Sequence, residues 1–187
     1  MTLIIAMKDK NWKAYIGCDW LVSAWSEIIS SKYNKFIQIW NSITWVSWAI
    51  NLLDIVKEDS KSKRPKKFKD KKDIRWLFKK ITWLKAKEDI IVWREDDDKL
   101  LKSNWFLTIT DKKIFFCNWK YWDIDEYEYY AIWTWAHYAI WIMRYLESTR
   151  DTNSMDNREL TELIKRIILT VSGLLINVGW DITVATL

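Results

Sequence analysis

Along the first third of the chain, apolar positions come in short blocks with the period of a strand rather than that of a helix. "TLIIAMKD" and "KAYIGCDW" are two such blocks joined at "KNW", "SEIISS" and "KFIQIW" read as a second pair, and "SITWVSW" as a fifth strand. Together they predict an antiparallel sheet. The period then lengthens: "AINLLDIVKED" and, after a basic stretch, "DIRWLFKKITWL" place apolar residues at helical spacing. From residue 91 strand-like blocks return as "IIVW", "FLTITD", "KIFFCN" and "YYAIWT". Two helices follow, "HYAIWIMRYLEST" and "NRELTELIKRIILTVSG", the second with Asp156 or Asn157 available as N-cap, and "DITVATL" ends the chain as a strand. This order predicts an α+β fold in which two antiparallel sheets pack together with a helical layer on each outer face.

The turns between these blocks lack the residues that turns require. The 187 residues include 16 Trp and only 3 Gly, where an average chain is about 7% glycine. Trp12, Trp105 and Trp119 each follow an asparagine between strand-like runs. Asn-Gly is the usual hairpin pair because its positions need φ > 0, a region that a bulky aromatic enters only with strain. Trp133, Trp135 and Trp141 likewise stand where a strand-to-helix turn calls for glycine. The tryptophans are distributed as glycine would be. A gene whose UGA codons specify glycine, translated with UGA read as tryptophan, yields this pattern and leaves Gly17, Gly173 and Gly179 to ordinary glycine codons. The competing reading, indoles as stacking platforms for bases or sugars, gives no reason for them to follow Asn in turns.

Length and an apolar content of 50% suit a single domain over 1–187. "MTLIIAM" is too short for a signal peptide or a span of about 20 residues, which points to a cytoplasmic chain with no membrane partner. The net charge is +5, and much of the positive charge lies in 57–75, around the only proline, Pro65. Such a run reads as a solvated face, with no nucleic-acid partner. Cys18 and Cys117 fall in strand-like segments and His137 is the only histidine, so no metal or other cofactor is expected. The cysteines read as small buried hydrophobes.

The opening "TLIIAMKDKNWKAYIGCDWLVSAWSEIISSKYNKF" resembles the start of a mature proteasome β-type subunit, and within that group the bacterial HslV peptidase most. "IGCDW" resembles the family's "IGxDG", "AIWTWAHYAIW" its "AIGSGxxYAxG", and "VGWDITVATL" its closing glycine pair and final strand. Reading Trp as Gly improves the match at almost every motif. The resemblance implies a four-layer αββα sandwich of the N-terminal nucleophile (Ntn) hydrolase class.

The chemistry follows from the residues. Removal of Met1, which a small second residue permits, leaves Thr2 as the N-terminus. Its hydroxyl attacks a peptide carbonyl while its own α-amine, of reference pKa about 7.7–8.0, takes the proton, so nucleophile and base are one residue. The resemblance implies that Lys35 supplies a positive field and that Asp19 orients and compensates it. It places the oxyanion donor at the backbone N–H of Trp48, where glycine lets substrate approach and an indole obstructs it. Thr134 stands at the family's supporting serine. His137 is expected as a helix N-terminal residue, not a general base.

One departure is Leu175, where the family carries an aspartate that supports the terminal threonine. The resemblance also implies homo-oligomeric rings around an internal chamber, unfolded polypeptide substrates and an ATP-driven unfoldase, with 57–75 as an outer-helix or inter-subunit element. Two other readings stand beside the peptidase. One is a catalytically inactive ring subunit, favoured by Leu175, and the other a Trp-rich module binding nucleic acid or glycan.

Overall fold

The computed structural model describes residues 3–19, 22–24, 27–30, 36–46, 58, 67–87, 105–118, 123–133, 135–149, 154–173 and 182–187. The strands are β1 (Leu3–Lys8), β2 (Ala14–Asp19), β3 (Val22–Ala24), β4 (Glu27–Ser30), β5 (Phe36–Ile39), β6 (Ser42–Val46), β7 (Trp105–Thr110), β8 (Ile114–Asn118), β9 (Asp123–Tyr127), β10 (Tyr129–Trp133) and β11 (Ile182–Thr186). The helices are α1 (Lys71–Lys87), α2 (Ala136–Thr149) and α3 (Asn157–Gly173). Among the described residues, one large sheet has the order β10-β1-β2-β11 and a second β5-β6-β7-β8-β9, with β3-β4 a separate two-stranded sheet, each antiparallel throughout.

Two-residue alternation builds the layers. In β1 and β2, Leu3, Ile5, Met7 and Tyr15 join a core with Ala139 and Met143 of α2 and Leu160, Ile164, Ile168 and Val171 of α3. The intervening Ile4, Ala6, Ala14, Ile16 and Cys18 face the other sheet, where they meet Ile43, Trp45, Leu107, Ile109 and Ile114. The second sheet's outer face carries Ile37, Ile39, Phe106, Phe115, Cys117 and Ile124, closed over by Ile74, Leu77 and Phe78 of α1. The result is the four-layer αββα sandwich expected from the sequence. Both cysteines are buried, as expected. The helix α3 opens with a reciprocal capping box. Glu159 N–H donates to Asp156 Oδ1 and Asp156 N–H to Glu159 Oε2, each at 2.9 Å. The N–H of Glu159 holds the Asp156 carboxyl below its usual pKa.

Several expectations are corrected. "SEIISS" does not pair with "KFIQIW": β4 closes a local hairpin with β3, while β5 turns directly into β6 at Trp40 and Asn41. The first five blocks do not make one sheet either, because the hairpin β1-β2 and the hairpin β5-β6 lie in opposite layers. The strand β9, "DIDEY", escapes a hydrophobic pattern because it is an edge strand in which Ile124 alone is buried. Trp105 begins β7 opposite Asn118 rather than turning a hairpin, and Trp141 is a 74% exposed residue inside α2. The helix expected at "AINLLDIVKED", of which only Glu58 is described, the strand expected at "IIVW" and the turn at Trp119 lie outside the described residues.

The left-handed backbone positions carry a clear message. Among the described residues the non-glycines at positive φ are Trp12 at 65°, Trp40 at 53° and Trp135 at 61°, and all three are tryptophan. Left-handed conformation costs an L-residue with a Cβ about 1–2 kcal/mol, and an aromatic has no local hydrogen bond to offset it. Trp12 and Trp135 are also 53% and 39% exposed, so burial repays little. At Gly17 the constraint is contact rather than dihedral. A Cβ there would stand 2.4 Å from Ile164 Cγ2 and 3.3 Å from Val184 Cγ2, so α3 lies directly on the β2 backbone.

Two outcomes follow. Trp12→Gly and Trp135→Gly each raise the free energy of urea unfolding by about 1 kcal/mol, by removing left-handed strain. Gly17→Ala lowers it by about 1–3 kcal/mol through overpacking, and adding Ile164→Ala restores part of that loss in a double-mutant cycle.

Candidate active site

The two sheets are tied together at one end. The β1-β2 turn is organised by the buried Asp9, whose Oδ1 accepts the N–H groups of Asn11 at 2.8 Å and Lys13 at 2.9 Å and whose Oδ2 accepts Tyr15 Oη at 3.2 Å. Burial, and then the adjacent Asp9 carboxylate, pushes the Tyr15 phenol up to about 12. Just past this turn Ala14 N–H donates to the carbonyl of Asp111 in the β7-β8 turn at 2.9 Å. At this end too, the single residue Glu128 carries the chain from β9 in one sheet to β10 in the other, and Lys8 Nζ pairs with its Oε1 at 3.1 Å. Lys10 N–H donates to Met155 O at 3.2 Å, fixing the approach to α3.

The strand registers then define the opposite end. Leu3 lies across from Trp133, Ile4 from Cys18 and Ile182 from Asp19, so the starts of β1 and β11 and the ends of β2 and β10 coincide. In the second sheet, Ser42 lies across from Thr110 beside the Asp111 turn, whereas Phe36 is across from Trp45 and Val46 from Phe106 at the far limit. Stacked sheets keep their strand directions within roughly 30° of each other. The tie at Ala14 and Asp111 therefore sets the Phe36 and Val46 limit over the Leu3, Asp19 and Trp133 limit.

Of the residues expected at the site, Asp19 is described. It is the last residue of β2, with 0% exposure. A carboxylate so far from water needs compensating partners, and Asp19 is not without an interaction. Thr2, Lys35, Trp48, Thr134 and Leu175 lie outside the described residues. Their described chain neighbours are nonetheless informative. Leu3 follows Thr2, Trp133 precedes Thr134, Phe36 follows Lys35, and Val46 is two residues before Trp48. All four neighbours belong to the end of the sandwich that carries Asp19.

Other chemistry is limited among the described residues. Burial pushes the Cys117 thiol up to about 12, which removes it as a nucleophile near neutral pH. His137 is the second residue of α2, exposed, with its ring 4.2 Å from that of Tyr138 and 5.6 Å from that of Trp135. No group of three His, Cys, Asp or Glu that could hold a metal ion occurs among the described residues. No described helix is long and apolar enough to cross a membrane. The residues that tie the closed end were not singled out in the sequence. The run "KDKNWK" did hold the signal for Asp9, an Asx turn at a hairpin, but the partnership of Ala14 with Asp111 has none.

No protein-family profile matches the sequence, and no curated protein matches it. Solved structures do. The Thiobacillus denitrificans protein BPH in complex with epoxomicin has a TM-score of 0.75 at 16% identity, covering 100% of this chain and 98% of that one. Another structure of BPH from the same organism has a TM-score of 0.72 at 16% identity, covering 100% and 97%. At this identity the likeness concerns the fold alone, the layered α+β sandwich of two antiparallel sheets between helices described above.

Proposed function

We propose that the chain is a threonine-type peptidase subunit of a self-compartmentalising, proteasome-like protease acting on unfolded polypeptides. The observation that carries this reading is Asp19, a fully buried carboxylate at the end of the sandwich where the described neighbours of Thr2, Lys35, Trp48 and Thr134 also end. After loss of Met1, the Thr2 hydroxyl attacks the scissile carbonyl and its α-amine accepts the proton. Lys35, compensated by Asp19, favours the neutral amine and the developing alkoxide. The N–H of residue 48 stabilises the oxyanion, and Thr134 supports the nucleophile. The Thiobacillus denitrificans protein of like fold was solved with epoxomicin, a proteasome inhibitor, which supports a peptide-recognising site on this scaffold. The ring, the unfoldase partner and the cytoplasmic setting belong to the same proposal.

Glycine at the tryptophan positions is part of this reading. Every non-glycine at positive φ among the described residues is a tryptophan, as expected if these codons specify glycine. The same substitution at position 48 opens the oxyanion site. A second reading, an inactive ring subunit, is favoured by Leu175 alone.

Thr2→Ala lowers peptide hydrolysis by at least about 10³-fold. Asp19→Asn, which keeps the shape and removes the charge, lowers it by about 10²-fold, with the far-ultraviolet spectrum unchanged. Full activity in the Thr2→Ala protein, or none in the wild type after removal of Met1, would sink the peptidase reading. Glycine decoding predicts that the intact mass of the protein made in its own cells is lower than the sequence mass by one indolylmethyl-for-hydrogen difference per recoded site. A mass equal to that of the literal sequence, or UGG codons at residues 12, 40 and 135, would exclude it.

A further inference from the structure

The outer face of α1 is a strip of cations whose members, Lys71 apart, form no ion pair among the described residues. Ile74, Leu77 and Phe78 point inward, which turns Lys72, Arg75 and Lys79 outward at a spacing of three and four residues. Lys67, Lys69 and Lys71, on the approach to the helix and its first residue, are exposed as well. Two carboxylates stand at the start of the strip, where Asp70 Oδ1 accepts the N–H of Asp73 and Asp73 Oδ2 that of Lys69, each at 3.0 Å. Lys71 Nζ pairs with Asp125 Oδ1 at 3.5 Å, but Lys67, Lys69, Lys72, Arg75 and Lys79 have no ion pair among the described residues. Like charges crowded on one helical face repel, so the strip carries a standing cost that an anionic partner removes.

We propose that this face of α1 docks an acidic segment of a partner protein. The shape of the charge distinguishes this occupant from a nucleic acid or an anionic membrane. Lys72 to Lys79 spans about 10 Å of helix, and one border of the strip is β9, with Asp123 and Glu126 exposed and Asp125 half-buried. A duplex, with one charge per about 1.7 Å, or a lipid plane would press its phosphates onto these carboxylates. A narrow acidic peptide lies along the cations and avoids them. Trp76, 40% exposed between Lys72 and Lys79, is not needed, so the docking face persists if that codon specifies glycine. The proposal is independent of the peptidase reading because it uses no residue of the candidate site.

The test uses the full chain and a fluorescein-labelled oligoglutamate, read by fluorescence anisotropy at low and at raised salt. The expected result is saturable, salt-sensitive binding that Lys72→Glu/Arg75→Glu/Lys79→Glu weakens by about tenfold or more. The neutral triple Lys72→Gln/Arg75→Gln/Lys79→Gln weakens it less, and serves alone if the charge-reversed protein does not fold. Arg158→Glu/Lys165→Glu/Arg166→Glu on α3 makes the same change in net charge and leaves binding within about twofold of the wild type. Equal weakening by the α1 and α3 reversals would overturn the proposal, since net charge alone would then explain the binding. So would absence of binding at low salt, or stronger binding of a single-stranded oligonucleotide of equal charge or of phosphatidylserine vesicles.

Discussion

The pairing of β1 with β2 is the constraint on which the remaining structure rests. Both strands are buried on both faces, so alternate residues must satisfy two different cores at once. A slip of one residue would exchange the two sets and set the small Ala6, Ala14 and Gly17 against the wrong layer. Gly17 makes the point locally: α3 approaches the β2 backbone so closely that a methyl group has no room. Register, helix distance and sheet separation are therefore fixed together.

That register has a directional consequence. One end of the sandwich is knotted by the Asp9 turn, the Ala14 to Asp111 hydrogen bond, the one-residue crossing at Glu128 and the contact from Lys10 to Met155. The other end holds the buried Asp19 and the ends of strands from both sheets. The strand termini that meet at the far end bring residues distant in sequence to one place.

The left-handed tryptophans bear on what the molecule is made of. Positions 12, 40 and 135 adopt φ of 65°, 53° and 61°, a region whose cost comes from the Cβ that every residue but glycine carries. A chain using glycine at all three meets the demand without strain.

The sequence by itself determined the layered α+β class, through the change from strand to helix spacing and back. It offered Asp156 or Asn157 as the α3 cap and a turn at Trp12 through the preceding asparagine, because those signals are local. Tertiary structure alone decided which strands share a sheet. The blocks "KAYIGCDW" and "KFIQIW" both read as strands in the sequence yet fall in opposite layers, since only packing assigns each strand to its sheet. It alone revealed β9, whose acidic edge position hides the strand period, and it alone showed that Asp19 is fully buried. A carboxylate after a strand reads as a turn residue until the partner strands β1 and β11 are set beside it, and burial is a property of those neighbours rather than of the residue.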